Sequence, residues 1–345
     1  MRCRYPQTKE EYWQTYVAII ILVAGLLYEK DYSKYMKVGI TLPNLGPQAT
    51  RDNVLQTATQ AEKEGFDSVW TITRILWPLK PQTPYPGTPD GVLPVEYQTA
   101  FDPLDVLTYV AGNTTKISLG QCVIDMFFYT PIMLAKRYAT LDVLSQGRVI
   151  AGLGLGWSKD EYQASNIPYA NRGERADEFL QVLKKIWSDD VVEFKGKYYN
   201  IPASKINPKP IQKPIPVYLG GFTTNTFSRV IRYDLNGWLG VVGGPLENVE
   251  NSIKSIRGQA SQVNKNPDNF RTIMLTYPNV IEGQSSKRDE NRFPFSGTID
   301  EIGSDIQRLK DMGVDHIIFG YNFVPIGRDV DKMINLSKEL SKFAR

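Results

Sequence analysis

From residue 37 onward, short apolar runs alternate with amphipathic stretches, and the alternation repeats eight times. The apolar runs predict strands at 38–42, 68–72, 117–124, 149–155, 216–219, 237–242, 271–280 and 316–319. Each is followed by residues at helical spacing: 51–64, 103–113, 131–144, 172–187, 223–232, 246–263, 299–312 and 330–343. In the first of these Val54, Ala58 and Ala61 share one face and Gly65 marks the stop. Pro131 sits at the start of the third, where its missing N–H costs nothing. Strands that return in the same direction need a crossover helix, so the pattern implies a parallel sheet. Eight repeats with almost unbroken apolar strands predict a closed (β/α)₈ TIM barrel rather than an open sheet.

Three connections are long: 73–102, 189–215 and 282–298. The first and third extend the C-terminal face of the strands, where barrel enzymes keep their active sites. The first contains the segment Trp77–Tyr97, with six prolines and three aromatic residues, which suits a stiff wall or cover.

Composition narrows the function classes. A net charge of +3, from 40 basic and 37 acidic residues, carries no nucleic-acid signature. Two cysteines, Cys3 and Cys122, make a disulfide framework improbable and point to a cytoplasmic, reducing setting. One histidine, His316, excludes a multi-histidine metal site and argues against a Ser-His-Asp triad. No metal site is expected. Tyr16–Tyr28 is an apolar run of thirteen residues, short of the ~20 that a bilayer span needs. Residues 1–35 are therefore read as an extension outside the catalytic fold, and residues 36–345 as the barrel. A docked amphipathic helix and a membrane anchor are the other readings of that extension.

Several ordered motifs resemble the luciferase-like monooxygenase superfamily. They are Gly65–Trp70, Leu134–Ser145 followed by Gly147-Arg148, Gly152–Trp157 followed by Asp160-Glu161-Tyr162, Arg172–Arg175 with Asp177-Glu178, and Asn207–Pro210 leading to Pro214–Tyr218. The resemblance covers roughly residues 37–345 and is nearest to the branch that uses the deazaflavin coenzyme F420. It implies a barrel oxidoreductase with cofactor at the strand C-terminal ends, and commonly a homodimer. In the family the end of the third strand carries a bulge, often with a non-proline cis peptide, behind the cofactor ring. That bond maps here to Cys122–Val123.

The residues themselves support such a site. Gly152, Gly154 and Gly156 end a strand and let backbone approach a flat ring or a phosphate; tight strand–loop packing is the plainer reading. Gly220-Gly221-Phe222-Thr223 precedes a helix whose N–H groups make an anion site, with Thr223 as cap; an ordinary glycine-rich turn would look the same. The cofactor-binding set expected is Thr73, Gln121, Cys122, Val123, Gly154, Gly156, Trp157, Gly220, Gly221, Phe222 and Thr223.

Two departures from the family matter. Many deazaflavin-using members carry Asp-His at the end of the second strand, where this chain has Thr73 and Arg74. Arg74 cannot serve as a base near neutral pH, but it could anchor an anionic substrate or cofactor group. Flavin-using members of the bacterial luciferase type place an arginine after the fourth strand, where Leu155 stands here. His316 opens the eighth strand at the barrel's N-terminal end, so it is expected to be structural. The expected function is hydride transfer between F420 and a small organic substrate. Alternatives are an FMN-dependent two-component monooxygenase fed by a separate reductase, and a non-redox or inactive flavin-binding barrel.

Overall fold

The structure is a computed structural model that describes residues 35–88, 90–281 and 292–345. The expected N-terminal extension, its apolar run included, lies outside the described residues except for Tyr35. Met36–Ala344 forms one compact unit.

Eight parallel strand positions close into a barrel. They are β1 (Lys37–Thr41), β2 (Ser68–Thr71), β3 (Ser118–Gln121) with its continuation β4 (Ile124–Asp125), β5 (Val149–Gly154), β8 (Val217–Gly220), β9 (Gly237–Val241), β10 (Arg271–Thr276) and β13 (His316–Phe319). β1 pairs with both β2 and β13, and the ring closes where Leu119 and Gly120 of β3 face Val149 and Ile150 of β5. Outside lie α1 (Arg51–Lys63), α2 (Pro103–Ala111), α3 (Pro131–Leu144), α4 (Lys159–Ala164), α5 (Arg172–Ser188), α6 (Thr224–Arg232), α7 (Leu246–Gln262), α8 (Ile299–Asp311) and α9 (Val330–Ala344).

The larger core packs the outward strand faces against the helices; the smaller fills the barrel and its mouth, with Trp70, Ile72, Leu239, Ile273, Leu275 and Ile318 among its members. At the barrel bottom His316 Nε2 lies 2.8 Å from Ser68 Oγ, and Trp70 Nε1–H donates to the same oxygen at 2.6 Å. The indole can only donate, so Ser68 Oγ accepts from Trp70, while burial keeps the His316 imidazole neutral. Gly39 sits beside this knot because a Cβ there would lie 2.3 Å from Ser68 Oγ. His316 is thus structural, as its position implied.

Three sequence expectations need correction. The third strand is not continuous over 117–124: it breaks at Cys122–Val123, whose peptide bond is cis, and resumes as β4. The run 271–280 is likewise two strands, β10 and β11 (Asn279–Val280), and β11 leaves the barrel to pair with β12 (Ser296–Gly297). The 189–215 connection contains an antiparallel hairpin, β6 (Val192–Lys195) with β7 (Asn200–Ser204), turning at Gly196. Its irregular register between Val192 and Phe194 blurs the period-2 pattern that would have announced it. Of the third long connection, residues 282–291 lie outside the described residues.

Candidate active site

The break in the third strand shapes the mouth. Strand alternation turns Gly120 inward against the Trp70 ring, so Gln121 faces out, where its Oε1 accepts from Tyr138 Oη at 2.8 Å. Gln121 is fully buried there, and its Nε2 has no hydrogen-bond partner among the described residues. After the cis bond, Val123 swings to the mouth. A Cβ on Gly154 would come within 2.6 Å of Val123 Cγ2, and one on Gly220 within 3.1 Å of its Cγ1. The two glycines form a notch that seats Val123 as a small apolar ledge. Cys122 is buried beneath, its thiol pushed up to about 12 by desolvation, so it is an inert packing group.

Beside the notch, Gly221 has φ +124° and its carbonyl accepts from Trp238 Nε1 at 2.7 Å. Thr223 caps α6, accepting from Thr226 N–H at 3.3 Å. Phe222 is more than half exposed, its ring edge-on to Trp238. Across the mouth, at the end of β2, Thr73 Oγ1 is buried and has no hydrogen-bond partner among the described residues. Such an orphan costs free energy unless a ligand or water meets it.

Arg74 is committed within the chain. Its guanidinium lies 3.3 Å from Glu161 Oε1, with both side chains almost wholly buried, and donates to the Leu76 carbonyl at 3.0 Å. It also lies over the rings of Trp157 at 4.9 Å and Tyr97 at 5.6 Å. Glu161 further accepts the Ile75 N–H at 3.0 Å, although burial still raises its carboxyl. The anion-anchor expectation for Arg74 therefore meets a charge that is already answered, and the residue reads as a brace under Trp157.

Asp125, at the end of β4, has its carboxyl against Gly154 and Gly156, where added Cβ atoms would come within 3.2 and 3.3 Å of its oxygens. Burial, then the nearby Glu161 charge, pushes it up to about 7, despite the hydrogen bond it accepts from Gly156 N–H. It is partly exposed, so a proton can reach it from the mouth. The sequence motifs included Glu161 without a role and passed over Asp125; Arg74 and Glu161 are 87 residues apart, with no local signal to join them.

Over the mouth the 73–102 connection supplies Tyr85 and Tyr97, which join a run of rings: Trp157 to Tyr85 at 5.4 Å, Tyr85 to Tyr97 at 5.7 Å, Tyr97 to Phe323 at 5.0 Å and Phe323 to Tyr277 at 5.5 Å. The proline-rich segment is thus both cover and lining. A cavity of about 540 Å³ opens on the β1 and β13 side, between Leu45, Glu96 and Arg328, with Phe323 of the ring run on its wall. It lies apart from the glycine notch, and the clustered unusual groups are at the notch. Among the described residues no group of three His, Cys, Asp or Glu side chains is placed to hold a metal. No helix among them is long and apolar enough to cross a membrane.

The chain is thus a closed parallel (β/α)₈ barrel with a broken strand and glycine-cut strand ends facing an aromatic mouth. The profile of the luciferase-like monooxygenase family matches residues 36–314, and the chain belongs to that family. It is 29% identical over 292 residues to an uncharacterised protein of Mycobacterium tuberculosis, covering 83% of this chain and 91% of that one. It is 30% identical over 192 residues to the F420-dependent glucose-6-phosphate dehydrogenase of Amycolatopsis mediterranei, covering 53% of this chain and 51% of that protein. A solved monooxygenase from Streptomyces bottropensis superposes with a TM-score of 0.71 at 20% identity, covering 89% of this chain and 98% of that one. The family comprises flavin- and F420-dependent oxidoreductases.

Proposed function

We propose that this chain moves a hydride between coenzyme F420 and a small organic substrate. The observation that carries the reading is the notch of Gly154 and Gly220 around Val123, which leaves backbone and one small side chain where a flat ring system must approach. Thr73 Oγ1 fits the same ligand, since a polar edge of the ring would meet an otherwise unpartnered hydroxyl. The start of α6, capped by Thr223, offers backbone N–H donors to the cofactor's phosphate. When bound, F420 would supply the hydride chemistry; the chain holds and orients it. Arg74 keeps Trp157 in place, and Asp125 is a carboxyl able to hold or release a proton near neutral pH. Leu155, in place of the arginine of the luciferase type, and the F420-dependent relative support F420 over FMN.

Titrating the protein with F420 and with FMN tests this. F420 should bind at least about tenfold more tightly, and Thr73→Val should weaken it by about tenfold, the worth of one hydrogen bond to a buried hydroxyl. Tighter binding of FMN would move the chain to the monooxygenase class, and binding of neither would leave a non-redox barrel.

A further inference from the structure

We infer that the aromatic mouth takes an uncharged, ring-bearing organic substrate, aromatic or alicyclic, and not a phosphorylated sugar. The inference deepens the reading above and rests on it only for the identity of the cofactor beside the substrate.

The five rings from Trp157 to Tyr277 stand in tilted or edge-on contacts, and Trp157, Tyr85, Phe323 and Tyr277 all keep part of their surface open. Below them the barrel floor is aliphatic, with Leu239, Leu275 and Ile318 in the same cluster. Ring faces over an apolar floor favour planar or alicyclic carbon skeletons, which shed water on entry and lose nothing polar.

Charge decides against phosphate. Arg74 is the guanidinium under the belt, and Glu161 already faces it at 3.3 Å. A phosphate drawn to Arg74 would have to share it with, or displace, the buried carboxylate that already pairs with it. Asp125 adds a second carboxyl nearby, which opposes an anion further once ionised. The mouth does offer a handle for a neutral oxygen. Tyr85 Oη and Tyr97 Oη lie 3.2 Å apart, so one hydroxyl satisfies the other and the second proton remains free to donate. A cyclic ketone or alcohol matches that pattern of one polar point on an apolar ring.

The test is calorimetric titration of the F420-loaded full chain with 2-naphthol, cyclohexanone and glucose 6-phosphate. The two ring probes should bind saturably, and glucose 6-phosphate should bind at least tenfold more weakly than 2-naphthol. Phe323→Leu and Tyr85→Leu, each checked for native circular dichroism, should weaken 2-naphthol by tenfold or more. Tighter binding of glucose 6-phosphate overturns the inference. So does failure of both ring probes, which would make the belt a plug of rings that serve only one another. Repeating the titration without F420 separates the two readings: ring binding that depends on Tyr85 in a protein that never loads F420 keeps the substrate class and removes the cofactor.

Discussion

Two titratable groups, His316 buried and Asp125 partly so, pull the stability of this barrel in opposite directions with pH. His316 is held neutral by burial, down to about 3, against an ordinary value of 6.5. Protonation favours the unfolded chain, so its contribution is whole above pH 6.5 and is lost as pH falls from there towards 3, by up to about 1.4 kcal/mol per pH unit. Asp125 runs the other way. Its carboxyl is raised from 3.8 to about 7, so its contribution is whole below pH 3.8 and lost as pH rises through 7. Urea denaturation across pH should therefore show His316→Asn flattening the acid limb between pH 6 and 4. Asp125→Asn should be more stable than the parent at pH 8 by roughly 1–3 kcal/mol. Equal stability of Asp125→Asn and the parent at pH 8 would mean the carboxylate is well solvated, and its proton-holding role would go with it. A group that costs stability at working pH is what a functional site tends to retain.

At the scale of elements, the motifs that carried the family resemblance prove to be largely joints. In the corner after α3, Gln146 and Gly147 take positive φ, which delivers Arg148 beneath the ends of α2 and β5. Its guanidinium donates to the carbonyls of Ala111, Thr114, Ile117 and Ser145 and to Thr114 Oγ1, all within 2.7–3.0 Å. Asp142 is fully buried and accepts both the backbone and side-chain N–H groups of Gln212, which pins the chain entering β8. Arg148→Ala would leave several carbonyls without donors, and should lower unfolding free energy by about 3 kcal/mol with F420 affinity unchanged in the folded fraction. Denaturant melts beside cofactor titrations read both.

The same contrast explains how much could be read from residues alone. Periodicity finds each barrel strand and the helix that follows it, because burial on both faces of β2, β5 and β13 makes their runs apolar throughout. It cannot see that Val123 sits in a notch cut by Gly154 and Gly220, since those residues lie on other strands. Nor does it join Arg74 to Glu161, whose attraction exists only after β2 and β5 are brought into one barrel. The short helix α4, which carries Glu161, spans six residues, too few for a helical repeat to register.

At the largest scale, the barrel unit Met36–Ala344 is a ring of ladders that begins and finishes at the same joint. Lys37 to Ile40 pair with His316 to Phe319, and Met36 N–H donates to the Ala344 carbonyl at 3.4 Å. No arc of the barrel is complete until the last strand arrives. Removing residues after Val314 should leave β1 and β10 with bare edges, and the product should aggregate rather than fold. By contrast, a circular permutant that links Ala344 to Met36 and opens at Gly196, in the outlying β6–β7 turn, should keep its circular dichroism and its cofactor affinity. Loss of both would show that order of synthesis matters here. During translation, then, β1 meets β2 early but waits through some 275 residues of later chain for its other neighbour, and the ribosome must release nearly all of the barrel before that open edge can be sealed.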